Sequence, residues 1–270
     1  MMTNRSVGTC GLAERIALQY SIPIPLIDII KEEEIELVCD DYGKGTFDGL
    51  TIYERNNDCF YIHLNRANGN RLDNTKGRFT LGHELGHYFI NHHRIALING
   101  LMQPHCHIYN PFGNNEAWII EREADDFAAS LLMPWFLLKQ DLRKEKFNGT
   151  MIHNLSERYN VSFSAMAIRC LKCDYTPMML VYAVDGMVKW QLHSKDFPFW
   201  QLKHGKAMIP ENSVMGEYFN HGDDSDCWND EIVFAGDCFY TFSQEQNNLK
   251  FYEYCIPYKN KAFSMFWQKD

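Results

Sequence analysis

An α+β fold is predicted by three observations. Apolar residues recur at helical spacing in two stretches, one through Leu81, Leu85 and Tyr88 and one through Ala124, Phe127, Ala128, Leu131 and Leu132. Short runs rich in β-branched and aromatic residues precede the first of these stretches. After Pro177 the texture changes to hairpin signals and scattered aromatics. The expected division is a domain of helices and a small antiparallel sheet at 1–142, a helix-turn-helix-like segment at 143–176, and a small β-rich C-terminal module at 177–270.

The elements follow in order. Leu12, Ile16, Ala17 and Tyr20 mark a helix over Gly11 to Tyr20, ended near Pro23, and Leu26 to Glu34 reads as a second. Strands are expected at Ile35 to Cys39, Asp48 to Tyr53 and Cys59 to Asn65, the last two joined by the turn Arg55-Asn56-Asn57-Asp58. The polar loop from Arg66 to Arg78 leads into a helix over Thr80 to Asn91, and its basic residues are expected to be solvated. A further helix runs through Glu121 to Leu132, with Pro134 as its stop. Leu155 to Leu171 has the rhythm of two helices around a turn, with Ser162 capping the second. Beyond it, Met178 to Val184 and Met187 to Leu192 form a hairpin about Asp185-Gly186. More strands are expected at Glu231 to Ala235, Cys238 to Ser243 and Leu249 to Cys255, and Ala262 to Trp267 is a short apolar end piece.

Composition bounds the function. With 46% apolar residues the chain can build a packed core, and its net charge of −9 argues against a strongly cationic nucleic-acid binder. An acidic surface suits a basic protein partner. No apolar run approaches the length of a membrane span, and Met1 to Cys10 has no hydrophobic signal core, so a cytoplasmic location is expected. Nine irregularly spaced cysteines fit reduced thiols better than a disulfide framework. Cys170 and Cys173 make one C-x-x-C, without the second pair that a structural zinc needs.

The chemistry concentrates in His83-Glu84-Leu85-Gly86-His87, an H-E-x-x-H motif on the first periodic helix. Residues four apart on a helix lie one above the other, so His83 and His87 can offer ring nitrogens to one Zn²⁺. Glu84, one position on, can take a proton from water as the catalytic base. Gly82 and Gly86 each cost about 1 kcal/mol relative to alanine inside a helix, which implies that something packs closely there. A catalytic zinc commonly has three protein ligands. Glu121, on the flank of the second helix, is the expected third ligand, and Asp125, four residues on, is expected to orient a ligating histidine through its other ring nitrogen. The plain alternative is a solvated acidic face, given Glu116, Glu123 and Asp126 nearby.

The loop between the two helices contains Pro104-His105-Cys106-His107-Ile108-Tyr109. Cys106 is a candidate inhibitory ligand, because a thiolate is a better zinc ligand than water. Four residues compete as stabilisers of an oxyanion: His105, His107, Tyr88 and Tyr109.

Two motifs in this order, Arg78-Phe79-Thr80-Leu81-Gly82-His83-Glu84-Leu85-Gly86-His87 and Glu121 through Pro134 with Asp125 at an Asn/Asp position, resemble the hallmark of the ImmA/IrrE metallopeptidases. The likeness runs from about Gly11 to Cys173 and is looser beyond. It implies a zinc-dependent endopeptidase acting on DNA-binding repressors, in phage, mobile-element, defence or DNA-damage circuits and held inactive until signalled. It also implies a helix-turn-helix repressor encoded nearby as substrate, a nucleic acid as candidate activator, and a sensory role for the C-terminal module. The alternative is a zinc-stabilised, non-proteolytic transcriptional regulator that binds DNA or a repressor. The 143–176 segment is expected to pack against the peptidase core rather than read DNA, since its second helix offers only Arg169 and Lys172 as candidate DNA contacts.

Overall fold

A computed structural model describes residues 4–101, 116–203 and 208–269. Among them the chain divides into two compact units, Met1–Asp141 with Ser156–Ser162, and Leu142–Leu155 with Phe163–Asp270.

In the first unit, helices α1 (Asn4–Ala17) and α2 (Leu26–Glu32) precede strands β1 (Glu36–Asp40), β2 (Gly49–Glu54) and β3 (Cys59–Asn65). Helix α3 (Thr75–Phe89) follows, then α4 (Asn91–Ile98), α5 (Glu116–Leu132) and α6 (Trp135–Leu142). The sheet order is β1-β3-β2. β2 pairs antiparallel with β3, as a short turn requires, but β1 runs parallel to β3. The sheet is therefore mixed, not purely antiparallel. The cause is the connection after β1, which passes over the end of β3 before β2 begins. Buried Asn65 pins it there, donating from Nδ2 to the carbonyls of Gly43 and Phe47 and accepting at Oδ1 from the Tyr42 amide.

Helix α3 begins a turn earlier than periodicity predicts, because Asn74 Oδ1 accepts from the Gly77 amide at 2.7 Å and caps it. Arg78, expected in solvent, is half-buried on this first turn and donates to the carbonyls of Asn160 and Ile24 at 3.1 and 3.0 Å. Desolvation lowers its pKa from the usual value. The two helix glycines have the close neighbour they implied. A Cβ on Gly86 would lie 3.1 Å from Ala124 Cα, and one on Gly82 would lie 3.4 Å from Ala128 Cβ, so α3 and α5 approach through small residues. Leu81, Leu85, Phe127, Leu131 and Leu132, each at most 2% exposed, close the layer between them. Full burial of each such side chain is worth about 1.5–3 kcal/mol.

Helices α7 (Gly149–Tyr159) and α8 (Phe163–Lys172) give the expected helix pair, with Asn160 in the left-handed region between them (φ 52°). Arg169 is 3% exposed, which removes one of the two proposed DNA contacts on α8.

The second unit holds a five-stranded antiparallel sheet in the order β5-β4-β8-β7-β6. Its strands are β4 (Met178–Val184), β5 (Met187–His193), β6 (Glu231–Phe234), β7 (Lys250–Tyr258) and β8 (Lys261–Gln268). Asp185 and Gly186, with φ of 53° and 72°, make the hairpin turn that Asp-Gly predicts. The expected strand at Cys238 to Ser243 does not form. Helix α10 (Ala235–Cys238) occupies its start, Phe239 makes one isolated bridge to Leu202, and α11 (Gln244–Asn247) follows. Phe239 instead belongs to a buried aromatic cluster with Phe197, Phe199, Phe251 and Phe266. Helix α9 (Val214–His221), capped by Ser213 and closed by Gly222 at φ 67°, was not anticipated.

Glu253, on β7, is fully buried under the first turn of α9. It accepts from the Val214 and Met215 amides at 2.8 and 3.1 Å and from Ser264 Oγ at 2.7 Å. Burial nevertheless pushes its carboxyl up to about 7 from the ordinary 4.5. The folded chain thus holds a proton that the unfolded chain has already lost between those two pH values. Stability from this group is full below pH 4.5 and falls as pH rises toward 7, by about 3 kcal/mol at most. Glu253→Gln should flatten this part of the stability profile, read by urea unfolding at pH 4.5, 6 and 7.5; a slope equal to wild type would contradict the assignment.

The described cysteines are all free thiols, with Cys170 buried and Cys173 partly exposed. No described helix is long and apolar enough to cross a membrane.

Candidate metal centre

Helix α3 presents His83, Glu84 and His87, and α5 presents Glu121 and Asp125. The close α3–α5 approach brings the two sets together. His87 Nε2 lies 3.0 Å from His83 Nε2. Glu121 Oε2 lies 3.2 Å from His83 Nε2, and Oε1 lies 3.7 Å from His87 Nε2. The three side chains could hold a metal ion, since one donor atom from each lies within 4.8 Å of the others. The fit can be tested by distance. Ligand atoms about 2.0–2.1 Å from a tetrahedral zinc stand about 3.3 Å from one another. The three observed separations bracket that value.

Asp125 Oδ1 is 2.9 Å from His83 Nδ1. That hydrogen bond puts a ring proton on Nδ1, so Nε2, which faces His87 and Glu121, is the atom that would ligate a metal once it gives up its own proton. Burial disfavours a charged His83. The hydrogen bonds to Asp125 and Glu121, with the charges of Asp125 and Glu84, outweigh it and raise the pKa to about 10.

Glu84 is 2% exposed. Its carboxylate is fixed from β2: Thr51 Oγ1 lies 2.7 Å from Glu84 Oε2 and 3.1 Å from the Glu84 carbonyl. Gly49 stands on the other side. A Cβ there would lie 2.5 Å from Glu84 Oε1 and 2.7 Å from Thr80 Cγ2. Gly49 and Thr51 were not singled out from sequence, because neither has a motif and their roles arise only when β2 meets α3.

Tyr88, one of the four expected oxyanion candidates, has its hydroxyl and ring engaged by other side chains. Its hydroxyl donates to Glu33 Oε2 at 2.9 Å, its ring meets Phe60 edge-on and the Arg94 guanidinium covers it at 4.4 Å. It is a packing residue. Cys106, His105, His107 and Tyr109 lie outside the described residues.

Residues 62–171 match the family described as IrrE N-terminal-like domain, a peptidase family that spans both motifs. A metallopeptidase family implies a metal ion, which the His83, His87 and Glu121 donor set could bind. No curated protein sequence matches the chain. A solved structure described as a Mycobacterium tuberculosis transcriptional regulator resembles it over 97% of this chain and 76% of that one, at 14% identity and a TM-score of 0.59. At that identity the likeness is one of fold. The segment from Ile62 to Leu171 thus matches the IrrE N-terminal-like family, in keeping with the ImmA/IrrE resemblance carried by its two motifs.

Proposed function

We propose that the chain is a zinc-dependent endopeptidase that cleaves a DNA-binding repressor, in a phage, mobile-element, defence or DNA-damage circuit, and stays silent until signalled. The observation that carries this reading is the convergence of His83, His87 and Glu121 at zinc-ligand spacing. Those three residues would hold the ion. When bound, zinc polarises a peptide carbonyl and brings the pKa of water to about 7.

The remaining roles belong to the chain. Glu84 takes a proton from the attacking water and returns it to the leaving amine, with Thr51 keeping its carboxylate in one orientation. Asp125 holds the His83 ring so that Nε2 stays the ligating atom. β2 lies at a sheet edge and has no second strand partner among the described residues, which suits backbone pairing with an extended peptide. Net charge of −9 favours a basic partner, as a DNA-binding protein is.

Asp125→Asn should weaken zinc binding about 10–100-fold, measured by competition with a chromophoric chelator. Unchanged affinity would remove Asp125 from the site. Cleavage itself is tested by incubating the chain with a helix-turn-helix repressor encoded beside it, with and without chelator. Fragments that vanish with chelator support the proposal; an intact repressor together with a chain-dependent DNA mobility shift favours the non-proteolytic regulator. The burial of Arg169 weighs against that rival. Cys106→Ser belongs in the same assay, since faster cleavage by the variant is what an inhibitory thiolate predicts.

A further inference from the structure

Two residues past Glu121 on α5, Glu123 meets a second pair of imidazoles. His92 Nε2 lies 2.6 Å and His93 Nε2 3.1 Å from the same oxygen, Glu123 Oε2. One donor atom from each of the three lies within 4.8 Å of the others. His93 is 0% and Glu123 3% exposed. The His92 side chain is 52% exposed and lines an open cleft of about 440 Å³ with Gly8, Thr9, Leu12, Ile90 and Asn91.

A hydrogen-bonded carboxylate alone accounts poorly for this arrangement. Glu123 Oε1 and His93 Nδ1 are buried with no hydrogen-bond partner. The described ion pairs of Glu123 are both to histidines, with no lysine or arginine to balance the buried charge. Buried carboxylates are ordinarily paired with a cation or coordinate a metal. Two imidazoles and a carboxylate form a donor set that suits zinc, nickel or copper.

We propose that His92, His93 and Glu123 form a second transition-metal site that takes Zn²⁺ and is open to solvent at His92. The ion takes the place of the direct His92–Glu123 hydrogen bond. The 2.6 Å separation then widens toward the roughly 3.3 Å of ligands on one zinc, which the exposed His92 ring can allow by swinging outward. One ligand is half exposed, so this site binds more weakly than the His83, His87 and Glu121 set, whose side chains are at most 14% exposed, and fills as the metal concentration rises. Its position gives occupancy a consequence. The His93 ring lies 5.1 Å from that of His87, and Glu123 shares a helix with Glu121. An ion there ties the first turn of α4 to α5 directly behind His87.

The test is the number of ions bound by the full-length chain. Chelator-stripped protein is titrated with Zn²⁺ and counted by native mass spectrometry, and with Co²⁺ to follow d–d absorption. Wild type should take two ions in two steps. His92→Ala, a change at an exposed side chain that keeps the fold, should take one, with at least a tenfold loss of affinity for the weaker step. One ion in wild type, or two in His92→Ala, would overturn the proposal. His83→Ala, measured in parallel, should lose the tighter step only, and its outcome bears on the proposed peptidase centre independently of the second site.

Discussion

Glu84→Gln is expected to bind zinc as wild type does and to cleave its repressor substrate about 10²–10⁴-fold more slowly. The amide keeps the shape of the side chain and can still accept from Thr51 Oγ1, so the fold and the three-ligand cluster stay in place. What it loses is the basicity needed to accept a proton from water. Zinc content by elemental analysis, together with cleavage followed on a gel, separates these effects. His83→Ala is the contrasting variant and should lose both metal and cleavage. A Glu84→Gln chain that cuts at the wild-type rate would take Glu84 out of the chemistry.

Gly49→Ala is expected to act on the same carboxylate from outside the motif. The new methyl group would sit 2.5 Å from Glu84 Oε1 and 2.8 Å from Glu84 Cγ, closer than carbon atoms come without something moving. Glu84 is the movable partner, since the backbone of β2 is held along its length by β3. Displacing a catalytic group by about 1 Å can cost about 10²-fold in rate. Zinc affinity should hardly change, because no ligand touches Gly49. Thermal unfolding of the variant tests whether the sheet has been disturbed instead. Wild-type cleavage by Gly49→Ala would show that the close approach of β2 does not set the position of Glu84.

The parts of this account that were legible in the sequence are those written in local periodicity. His83, Glu84 and His87 are four residues or fewer apart on one helix, so their grouping needs no knowledge of the fold. Gly82 and Gly86 were legible for a related reason: glycine inside a helix is unfavourable without a neighbour to admit, and Ala124 and Ala128 are that neighbour. The less legible features depend on distant segments meeting. Nothing near Gly49 or Thr51 announces a role, because both act across 33 or more positions of sequence on Glu84. Arg78 reads as a surface cation until the carbonyls of Ile24 and Asn160 are seen around it. The parallel sense of β1 could not be read from its own composition, since it is set by a loop that Asn65 folds across the sheet. Cys238 to Ser243 has the composition of a strand, yet the aromatic core draws Phe239 inward and a short helix takes the place of pairing. Signals for α9 were present in Ser213 and Gly222, but a short helix among aromatics offers little periodicity to catch.

The most direct test of the central claim is anomalous diffraction at the zinc edge from crystals of the full chain grown with zinc. The account predicts a peak about 2.0–2.2 Å from His83 Nε2, His87 Nε2 and a Glu121 oxygen, with Asp125 still on His83 Nδ1. Zinc bound elsewhere while Glu121 points away from both imidazoles would contradict it.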